Sequence, residues 1–467
     1  MKNNTIKNFI NYFIGDLFVK GFLFISLPLL SRVMSPSEYG KMSLVNTAIM
    51  ILYVFISLNL QNAILNRYMT TRENFPIYLS TLIISIIPFQ ILLILLFPYY
   101  SPFISPLLQI SKDDLWWVII ICIQITYIYI YTSYLQASQN SSEFIKINII
   151  SKVTEIISIF ILALYLTNNQ YLSKIISQLI INVFLCIYVF KNFKSILTCK
   201  FDTRYLKEAL WFSIPLIVHV LSNTLLSQSD RLIINNLKGD YSAGIYSFSY
   251  NIGMAILVFI MAWNSSWQPK FYKLLNCNNN YFTINNVIKN STIIIFIMSA
   301  LLILYSKEFV LILSSNLYYE SYKIIPIIII GNALIHIYLS YVNFLFYKKK
   351  SILISIGTLL ALALNILLNY KLIPIYGIEG AAWATVVAYI ALSLFHYVSS
   401  TYIIKLNFIS LKLLIFFFAS LFIFYLITIY IENFIYPIEL LIKLVISAII
   451  GIYFFVKKPY IYLKELE

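Results

Sequence analysis

Hydrophobic residues occur along the chain in long runs, which short polar segments separate. Runs of about twenty residues recur over the whole length, and this is the length that an α-helix needs to cross a bilayer. Strands of a membrane barrel would alternate over about ten residues, whereas these runs are uniformly apolar. The pattern predicts an all-α polytopic membrane protein with about fourteen transmembrane helices, at 9–31, 42–62, 77–99, 115–137, 144–167, 171–190, 210–235, 242–265, 290–313, 322–346, 352–371, 379–402, 410–431 and 435–456.

Composition supports a membrane environment. Of the 467 residues, 61% are hydrophobic and 11% are charged, against about 25% charged residues in soluble domains. The mean hydropathy is +0.85. A soluble core could not bury so much apolar surface, so the solvent of this chain must be lipid.

The distribution of basic residues predicts the topology. Of the 33 Lys and Arg residues, 21 fall on the side of the N-terminus and eight on the other side, where Lys174 is counted in an outer loop. The positive-inside rule therefore places both termini in the cytoplasm. Because topology accounts for most of the net charge of +15, no nucleic-acid partner is expected.

The most basic connection, "KNFKSILTCKFDTRYLKE" (191–208), lies near the middle of the chain. It predicts an N-terminal six-helix bundle (1–190), a cytoplasmic linker (191–208), a second six-helix bundle (209–405), an extra helix pair (406–456) and a cytoplasmic tail (457–467). Each bundle has an even number of spans, so both would insert the same way round as parallel repeats with a site between them. A weak internal match, "SEYGKMSLVN" (37–46) with "YSAGIYSFSY" (241–250), aligns Gly40 with Gly244.

Several spans carry polar residues three or four positions apart, which places them on one helical face. These faces cannot meet lipid cheaply, so they either pack against other helices or line a water-filled cavity. Both alternatives stay open from the sequence. The faces contain Gln124, Tyr127, Tyr131 and Tyr134 in span 4; His219, Asn223, Ser227 and Asp230 in span 7; and His336 and Asn343 in span 10.

Charged residues within the spans are the second candidate feature. Asp16 and Lys20 lie four apart in span 1, and Lys152 and Glu155 lie three apart in span 5. Lys20 and Glu155 are expected roughly 16 Å from the cytoplasmic side, near the midplane. The pairs either neutralise themselves or present their cations to an anionic substrate.

Two further charged positions lie near the outer ends of spans. Asp230 and Arg231 are adjacent near the end of span 7, so they point about 100° apart and each needs its own partner. Lys443 lies just inside an outer span end, where it can snorkel to the surface, and no role is assigned to it.

An enzyme is disfavoured by the absence of the required side-chain patterns. The sequence has no recognisable nucleophile–base constellation, and its four cysteines show neither metal-ligand nor redox spacing. The expectation is therefore a non-enzyme that holds no metal and no cofactor.

Three segments resemble a known family. "LPLLSRVMSPSEYGKMSLV" (27–45), "SDRLIINNLKGDYSAGIYSFS" (229–249) and "LIPIYGIEGAAWATVVAY" (372–389) are similar to Wzx-type flippases of O-antigen and polysaccharide repeat units. These flippases belong to the multidrug/oligosaccharidyl-lipid/polysaccharide (MOP) exporter superfamily. The resemblance implies two six-helix bundles around a V-shaped central cavity that opens alternately to each side.

The implied substrate is an undecaprenyl-diphosphate-linked oligosaccharide, moved across the bacterial cytoplasmic (inner) membrane for O-antigen or capsule synthesis. The expected partners are this lipid-linked oligosaccharide, membrane lipids, a polysaccharide polymerase and a chain-length regulator; the candidate coupling ion is H⁺ or Na⁺. Cations suit the diphosphate, and hydroxyl, amide and aromatic groups suit the sugars. The candidates are Lys20, Lys152 and Arg231 for the diphosphate; Gln124, Tyr127, Tyr131, Tyr134, His219, Asn223, His336 and Asn343 for the sugars; and Asp16, Glu155 and Asp230 for the coupling ion.

Three alternatives remain at this point. A cation-coupled multidrug antiporter of the same superfamily would use carboxylate-rich membrane sites, whereas lysines accompany the acids here. A lipid II flippase is expected to carry several arginines in its cavity, and few are found in these spans. The third alternative is a membrane glycosyltransferase or ligase, for which no large outer loop is available.

Overall fold

The computed structural model describes residues 21–22, 24–198, 200–276 and 281–457, and all regular structure within these ranges is helical. Eleven of the described helices are long and apolar enough to cross a membrane. The predicted all-α polytopic fold is thereby confirmed. The number of fourteen spans, the parallel repeats and the central cavity stay predictions. Asp16 and Lys20 lie outside the described residues.

The chain divides into two compact units, 1–244 and 245–467, and the predicted bundle boundaries stay a proposal. The helices of the first unit are α1 Phe24–Val33, α2 Pro36–Ile56, α3 Leu60–Thr70, α4 Phe75–Leu95, α5 Phe97–Leu108, α6 Lys112–Ala137, α7 Ser141–Tyr165 and α8 Leu172–Phe193. Helix α9, Thr203–Gly253, continues into the second unit. There it is followed by α10 Ala255–Asn276, α11 Tyr281–Leu304, α12 Ser306–Leu313, a 3₁₀ helix Asn316–Lys323, α13 Ile325–Tyr347, α14 Ser351–Val398, a π-helical turn Ser399–Ile403, α15 Lys412–Ile431 and α16 Tyr436–Lys457.

Two glycines divide the longest helices. Gly239 within α9 has φ 82°, and Gly377 within α14 has φ 59°. Glycine adopts this left-handed conformation without the strain that a Cβ would cause. The predicted boundaries between spans 7 and 8 and between spans 11 and 12 fall at these two residues, so each long helix contains two predicted spans.

Helix α2 packs closely against α9 in the first unit. A Cβ atom on Gly40 would lie 2.1 Å from the carbonyl oxygen of Asp240, and one on Gly244 would lie 1.8 Å from that of Pro36. Only glycine allows two helix backbones to approach this closely. The two glycines that the internal sequence match aligned are thus in direct contact.

The basic linker is held against the first unit. The backbone N–H of Thr198 donates to Ser80 Oγ (2.8 Å), and that of Asp202 donates to Thr81 Oγ1 (3.1 Å). Arg67 Nη1 lies 3.0 Å from a carboxylate oxygen of Glu208 at the start of α9. The linker therefore belongs structurally to the helices that precede it, and α9 already begins at Thr203.

The last helix is attached to the second unit by a buried charge cluster, which we call the α12–α16 cluster: Lys307, Glu308, Glu439 and Lys443. Lys307 Nζ donates to Glu439 Oε2 (2.6 Å), and Lys443 Nζ donates to Glu308 Oε1 (2.9 Å). Lys443 Nζ also lies 2.8 Å from Glu439 Oε1. The Lys443 side chain is 0% exposed, so it does not snorkel to the surface but contributes to this cluster.

Candidate functional site

A polar cluster lies inside the first unit, between α7 and α8; we call it the α7–α8 cluster. Its centre is the buried carboxylate of Glu155, whose two oxygens contact two different ammonium groups. Lys152 Nζ lies 2.9 Å from Oε2, and Lys174 Nζ contacts Oε1. Gln178 Nε2 donates a further hydrogen bond of 2.9 Å to Oε1. Two lysines and one glutamate leave the cluster with a formal charge of +1.

Helical spacing brings these side chains together. Lys152 and Glu155 lie three apart on α7, which begins at Ser141 after the capping side chain of Asn140. Gln178 is one turn beyond Lys174 on α8. Because residues three or four apart share one face, each helix presents its polar face to the other.

The three charged side chains differ in exposure. Glu155 is 9% exposed and Lys174 is 11% exposed, whereas Lys152 is 44% exposed. Lys174 therefore serves as the buried counter-ion of Glu155. Lys152 is the cation of this cluster that a ligand can reach.

A cavity of about 280 Å³ adjoins the cluster. Its polar lining consists of Asn46, Tyr129, Asn148, Ser151, Lys152, Glu155, Gln178 and Asn182, and isoleucine, leucine and methionine side chains complete it. The buried Asn182 Nδ2 and Gln178 Oε1 have no hydrogen-bond partner within the described chain. Since buried polar atoms usually find a partner, the cavity offers unused hydrogen-bonding capacity beside an excess positive charge.

Lys174, Gln178 and Asn182 were not identified from the sequence. The topology prediction counted Lys174 in an outer loop, but it lies within α8 and is buried. Its assignment to a loop is therefore wrong. The i, i+4, i+8 spacing of the three residues is the sequence signal that could have identified them, since it places all three on one face.

Of the other two residues predicted to bind the diphosphate, Lys20 lies outside the described residues and Arg231 lies within α9. Asp230 and Arg231 are 1% and 4% exposed, and the helix continues past both as far as the bend at Gly239. Arg231 Nη1 donates to the carbonyl oxygen of Ser227 (2.7 Å). Both residues therefore lie in the interior of the α9 segment and are buried by packing, and neither stands at an exposed helix end.

The tyrosine face of α6 packs inside the first unit. Tyr127 donates to Gln90 Oε1 (2.8 Å), and Tyr131 donates to Glu143 Oε1 (2.5 Å). The ring of Tyr134 stacks on Phe75 with 5.8 Å between centroids. These rings belong to an apolar core cluster with α3, α4 and α8. The α6 residues that line the cavity are instead Ile125, Ile128 and Tyr129.

The remaining sugar candidates occupy separate places. Gln124 is partly buried, and its backbone carbonyl accepts a hydrogen bond from Cys186 Sγ (3.5 Å). On α9, Asn223 Nδ2 lies 3.2 Å from His219 Nε2. In the second unit, His336 is buried beside Thr292 Oγ1 at 3.2 Å.

Asn343 completes the set, and Asn343 Nδ2 donates to Asn264 Oδ1 (3.0 Å).

The second unit holds a larger, mostly apolar cavity of about 600 Å³ beside α11 and α15. Phenylalanine, leucine and isoleucine side chains dominate its lining, and Lys289 and Lys412 are the charged residues within it. Its chemistry suits a hydrocarbon chain. Asn285, Thr292, Ser410, Ser420 and Tyr453 add uncharged polar groups to this lining.

Among the described residues, no group of three or more His, Cys, Asp or Glu side chains is placed to hold a metal ion. The chemistry available at the α7–α8 cluster is electrostatic binding of an anion.

Two known proteins are similar in sequence to this chain. The chain is 25% identical over 402 residues to the Lsg locus putative protein 1 of Haemophilus influenzae, covering 81% of this chain and 95% of that protein. It is also 27% identical over 270 residues to an uncharacterized membrane protein of Methanocaldococcus jannaschii, covering 53% and 61% of the two chains.

Solved structures show where the fold recurs. The lipid II flippase MurJ in an inward closed conformation aligns with a TM-score of 0.71 at 17% identity, covering 94% of this chain and 98% of that one. A multidrug resistance MATE family transporter of the MOP superfamily, in an inward-facing conformation, aligns with a TM-score of 0.60 at 11% identity, covering 82% and 94%. At these identities the similarity establishes the fold.

The family follows from the sequence itself. Residues 5–275, more than half of the chain, match the model of the polysaccharide biosynthesis protein family. The family assignment agrees with the resemblance found in the three sequence segments. The chain belongs to the polysaccharide biosynthesis protein family and has the fold of the MOP-superfamily transporters.

Proposed function

We propose that this protein is a flippase that moves undecaprenyl-diphosphate-linked oligosaccharide repeat units across the bacterial cytoplasmic membrane by alternating access. The product would serve the synthesis of a surface polysaccharide such as O-antigen or capsule. The observation that carries the proposal is the α7–α8 cluster, with a formal charge of +1 beside a polar cavity in the membrane-spanning part of the first unit.

The charge of this cluster favours an anionic ligand. A buried charge without a counter-ion is costly in a medium of low dielectric constant. Glu155 neutralises one of its two lysines, so one positive charge is left without a carboxylate within the cluster. A diphosphate would supply the missing negative charge, and charge-assisted hydrogen bonds from ammonium groups are among the strong ones.

The exposure of the two lysines suggests their separate roles. Lys152, the more exposed of the two, would turn from Glu155 to the diphosphate. Lys174 would remain on Glu155 and keep the carboxylate neutralised in both states. The amide groups of Asn148 and Asn182 would donate further hydrogen bonds to phosphate oxygens.

The membrane context extends the proposal. The basic-loop pattern favours cytoplasmic termini, so the substrate would enter from the leaflet where lipid-linked oligosaccharides would be assembled. The apolar cavity beside α11 and α15 has the lining that a polyprenyl tail requires. A polysaccharide polymerase and a chain-length regulator are the proposed partners on the product side.

Transport would be driven by a coupling ion, H⁺ or Na⁺, that binds at an acidic residue. Asp230 is our first candidate because it is a carboxylate buried within a membrane-spanning helix, where acidic residues are rare and often belong to ion pathways. Transport into vesicles under an imposed proton or sodium gradient measures this role. If Asp230→Asn exports with undiminished gradient dependence, Asp230 is not the coupling residue.

Two other functions compete with this proposal. A lipid II flippase would also bind a diphosphate, and the fold similarity to MurJ favours it. A multidrug antiporter would bind cations, for which the excess positive charge at Glu155 is unsuited. Deleting the gene distinguishes them: loss of surface polysaccharide with normal growth supports our proposal, whereas arrested peptidoglycan synthesis supports the lipid II alternative.

Substitution of Lys152 tests the anion site. Lys152→Gln should reduce polysaccharide export at least tenfold, because a hydrogen bond to a charged group contributes about 1.5–3 kcal/mol. Protein levels should stay normal, since Lys152 is 44% exposed. Surface polysaccharide and accumulated lipid-linked oligosaccharide are the measurements.

The matched control is Lys146→Gln, an exposed lysine on the same helix, which should export normally. Wild-type export by Lys152→Gln would contradict the anion site. Equal losses in both variants would point to a general effect of charge on α7.

A further inference from the structure

Helix α10 is less apolar than most of the long helices in the described part of the chain. It has 22 residues, yet it is not among the described helices that are apolar enough to cross a membrane. Asn264, Gln268 and Tyr272 follow one another at intervals of four and therefore share one face. The indole rings of Trp263 and Trp267 stack beside this face, with 6.0 Å between centroids and 9° between ring planes.

A chain of hydrogen bonds orients the amides of this face. Asn343 of α13, which is buried, donates from Nδ2 to Asn264 Oδ1 (3.0 Å). Gln268 Nε2 donates to Asn343 Oδ1 (3.2 Å) and to the hydroxyl of Tyr272 (2.9 Å). One buried asparagine thus holds two partly exposed amides of α10 in fixed orientations.

The same face has polar atoms that are not used. Within the described residues, no hydrogen bond involves Asn264 Nδ2 or Gln268 Oε1, and the Tyr272 hydroxyl accepts from Gln268 without donating. All three side chains are partly exposed. A face with two amides and a phenol is suited to water or to a polar ligand rather than to lipid.

The chemistry of this face matches a saccharide. Amide and hydroxyl groups both donate and accept hydrogen bonds, as sugar hydroxyls require, and an indole ring supplies an apolar surface with a polar edge. Trp263, Asn264, Gln268 and Tyr272 carry no charge, in contrast to the α7–α8 cluster. They therefore suit the neutral sugar part of a ligand better than its diphosphate.

We infer that Trp263, Asn264, Gln268 and Tyr272 form a saccharide-binding face, braced by Asn343, that selects the oligosaccharide part of the substrate. This inference rests on the proposed function. By the basic-loop topology this end of α10 lies on the cytoplasmic side, close to Lys273 and to Lys348 after α13. A sugar that arrives from the cytoplasm would meet this face first.

Binding to the purified full-length protein tests the inference with two probes. One is the lipid-linked oligosaccharide that accumulates in cells lacking this gene, and the other is undecaprenyl diphosphate without sugar. Asn264→Ala and Gln268→Ala should each weaken binding of the first probe about tenfold, because each loses a hydrogen bond and leaves its partner unpaired. Binding of undecaprenyl diphosphate should not change.

Two further variants separate binding from folding. Tyr272→Phe keeps the ring and removes only the hydroxyl. It should therefore weaken binding of the sugar-bearing probe severalfold and leave the midpoint of thermal unfolding unchanged. Ser266→Ala lies on α10 away from this face and should bind both probes like the wild type.

The outcomes distinguish this inference from the proposed function. If the wild type binds undecaprenyl diphosphate and the sugar-bearing lipid equally, or if the variants bind the sugar-bearing lipid normally, the saccharide face is wrong and the diphosphate site stands. If no lipid-linked oligosaccharide accumulates and the wild type does not bind undecaprenyl diphosphate, the proposed function fails and this inference fails with it.

Discussion

The two buried charge clusters of this protein differ in charge balance and in access. The α12–α16 cluster pairs Lys307 and Lys443 with two glutamates, and its formal charge is zero. The α7–α8 cluster has two lysines for one glutamate, and Lys152 is 44% exposed beside a polar cavity. Lys443, in contrast, is fully buried.

We propose that this difference separates a structural ion cluster from an anion-binding site in this protein. A balanced, closed cluster satisfies its own charges and only holds helices together, here α12 and α16. An unbalanced cluster beside a cavity has an excess charge that can bind a ligand of the opposite charge. Burial alone does not separate the two, because Glu155 and Glu439 are both buried.

The largest effect is expected in the balanced cluster. Glu439→Ala would leave Lys307 and Lys443 in a buried site with one carboxylate between them. Breaking a buried ion pair costs about 3–5 kcal/mol, so the variant should be recovered in much lower amounts and unfold at a lower temperature. Thermal unfolding of the purified protein is the measurement.

The control for this variant removes one charge of each sign. The double variant Glu439→Leu with Lys307→Met keeps the cluster balanced and leaves the Lys443–Glu308 pair intact, so it should recover most of the stability. An unchanged midpoint of unfolding in Glu439→Ala would show that the balanced cluster does not hold α16.

A smaller effect is expected from variants of the α7–α8 cluster. There the net charge of the cluster can be changed while Lys152 is kept. Lys174→Met makes the cluster neutral, with Glu155 still held by Lys152, and should reduce polysaccharide export about tenfold. Lys174→Met combined with Glu155→Gln restores the charge of +1 and should regain export. Surface polysaccharide per folded protein is the measurement.

If the double variant exports no better than Lys174→Met, the net charge does not determine anion binding. In that case the exact arrangement of the three side chains would be the requirement, and the contrast between the two clusters would lie in geometry rather than in charge balance.

The smallest effect concerns pH at the edge of the balanced cluster. Burial raises the pKa of Glu432, which follows α15, above its ordinary value of 4.5, while the ammonium of Lys443 opposes the shift. The folded state then binds this proton more tightly than the unfolded state. The contribution of Glu432 to the free energy of unfolding is therefore fully present below pH 4.5. It is lost as the pH rises through the folded-state pKa.

The midpoint of thermal unfolding should accordingly fall slightly as the pH is raised from about 4.5. Glu432→Gln should flatten this dependence, since the amide does not titrate. A steeper dependence in Glu432→Gln than in the wild type would assign the titration to another group.

Much of the fold could be predicted from the sequence because the bilayer constrains it strongly. A helix of about twenty apolar residues is the simplest way to satisfy the backbone in lipid, so the predicted spans from the second onward each overlap a described helix. Helix ends were less predictable: α9 begins at Thr203, within the predicted linker, because Asp202 is anchored to Thr81.

The candidate site could be predicted only in part. The i, i+3 spacing identified Lys152 and Glu155, since both lie on one helix. Tyr127 and Tyr131 have an equally regular spacing, but their face packs into the core of the first unit. Periodicity predicts that residues share a face, and it carries no information about what that face will meet.

The sequence by itself determined that this chain is a helical membrane protein of the polysaccharide biosynthesis protein family, because hydropathy and local motifs are properties of contiguous residues. The tertiary structure decided that Lys174 joins Glu155 across 19 positions and that Lys443 joins Glu308 across 135. Such partners come from different helices, and they meet only because packing in the membrane turns particular polar faces toward each other.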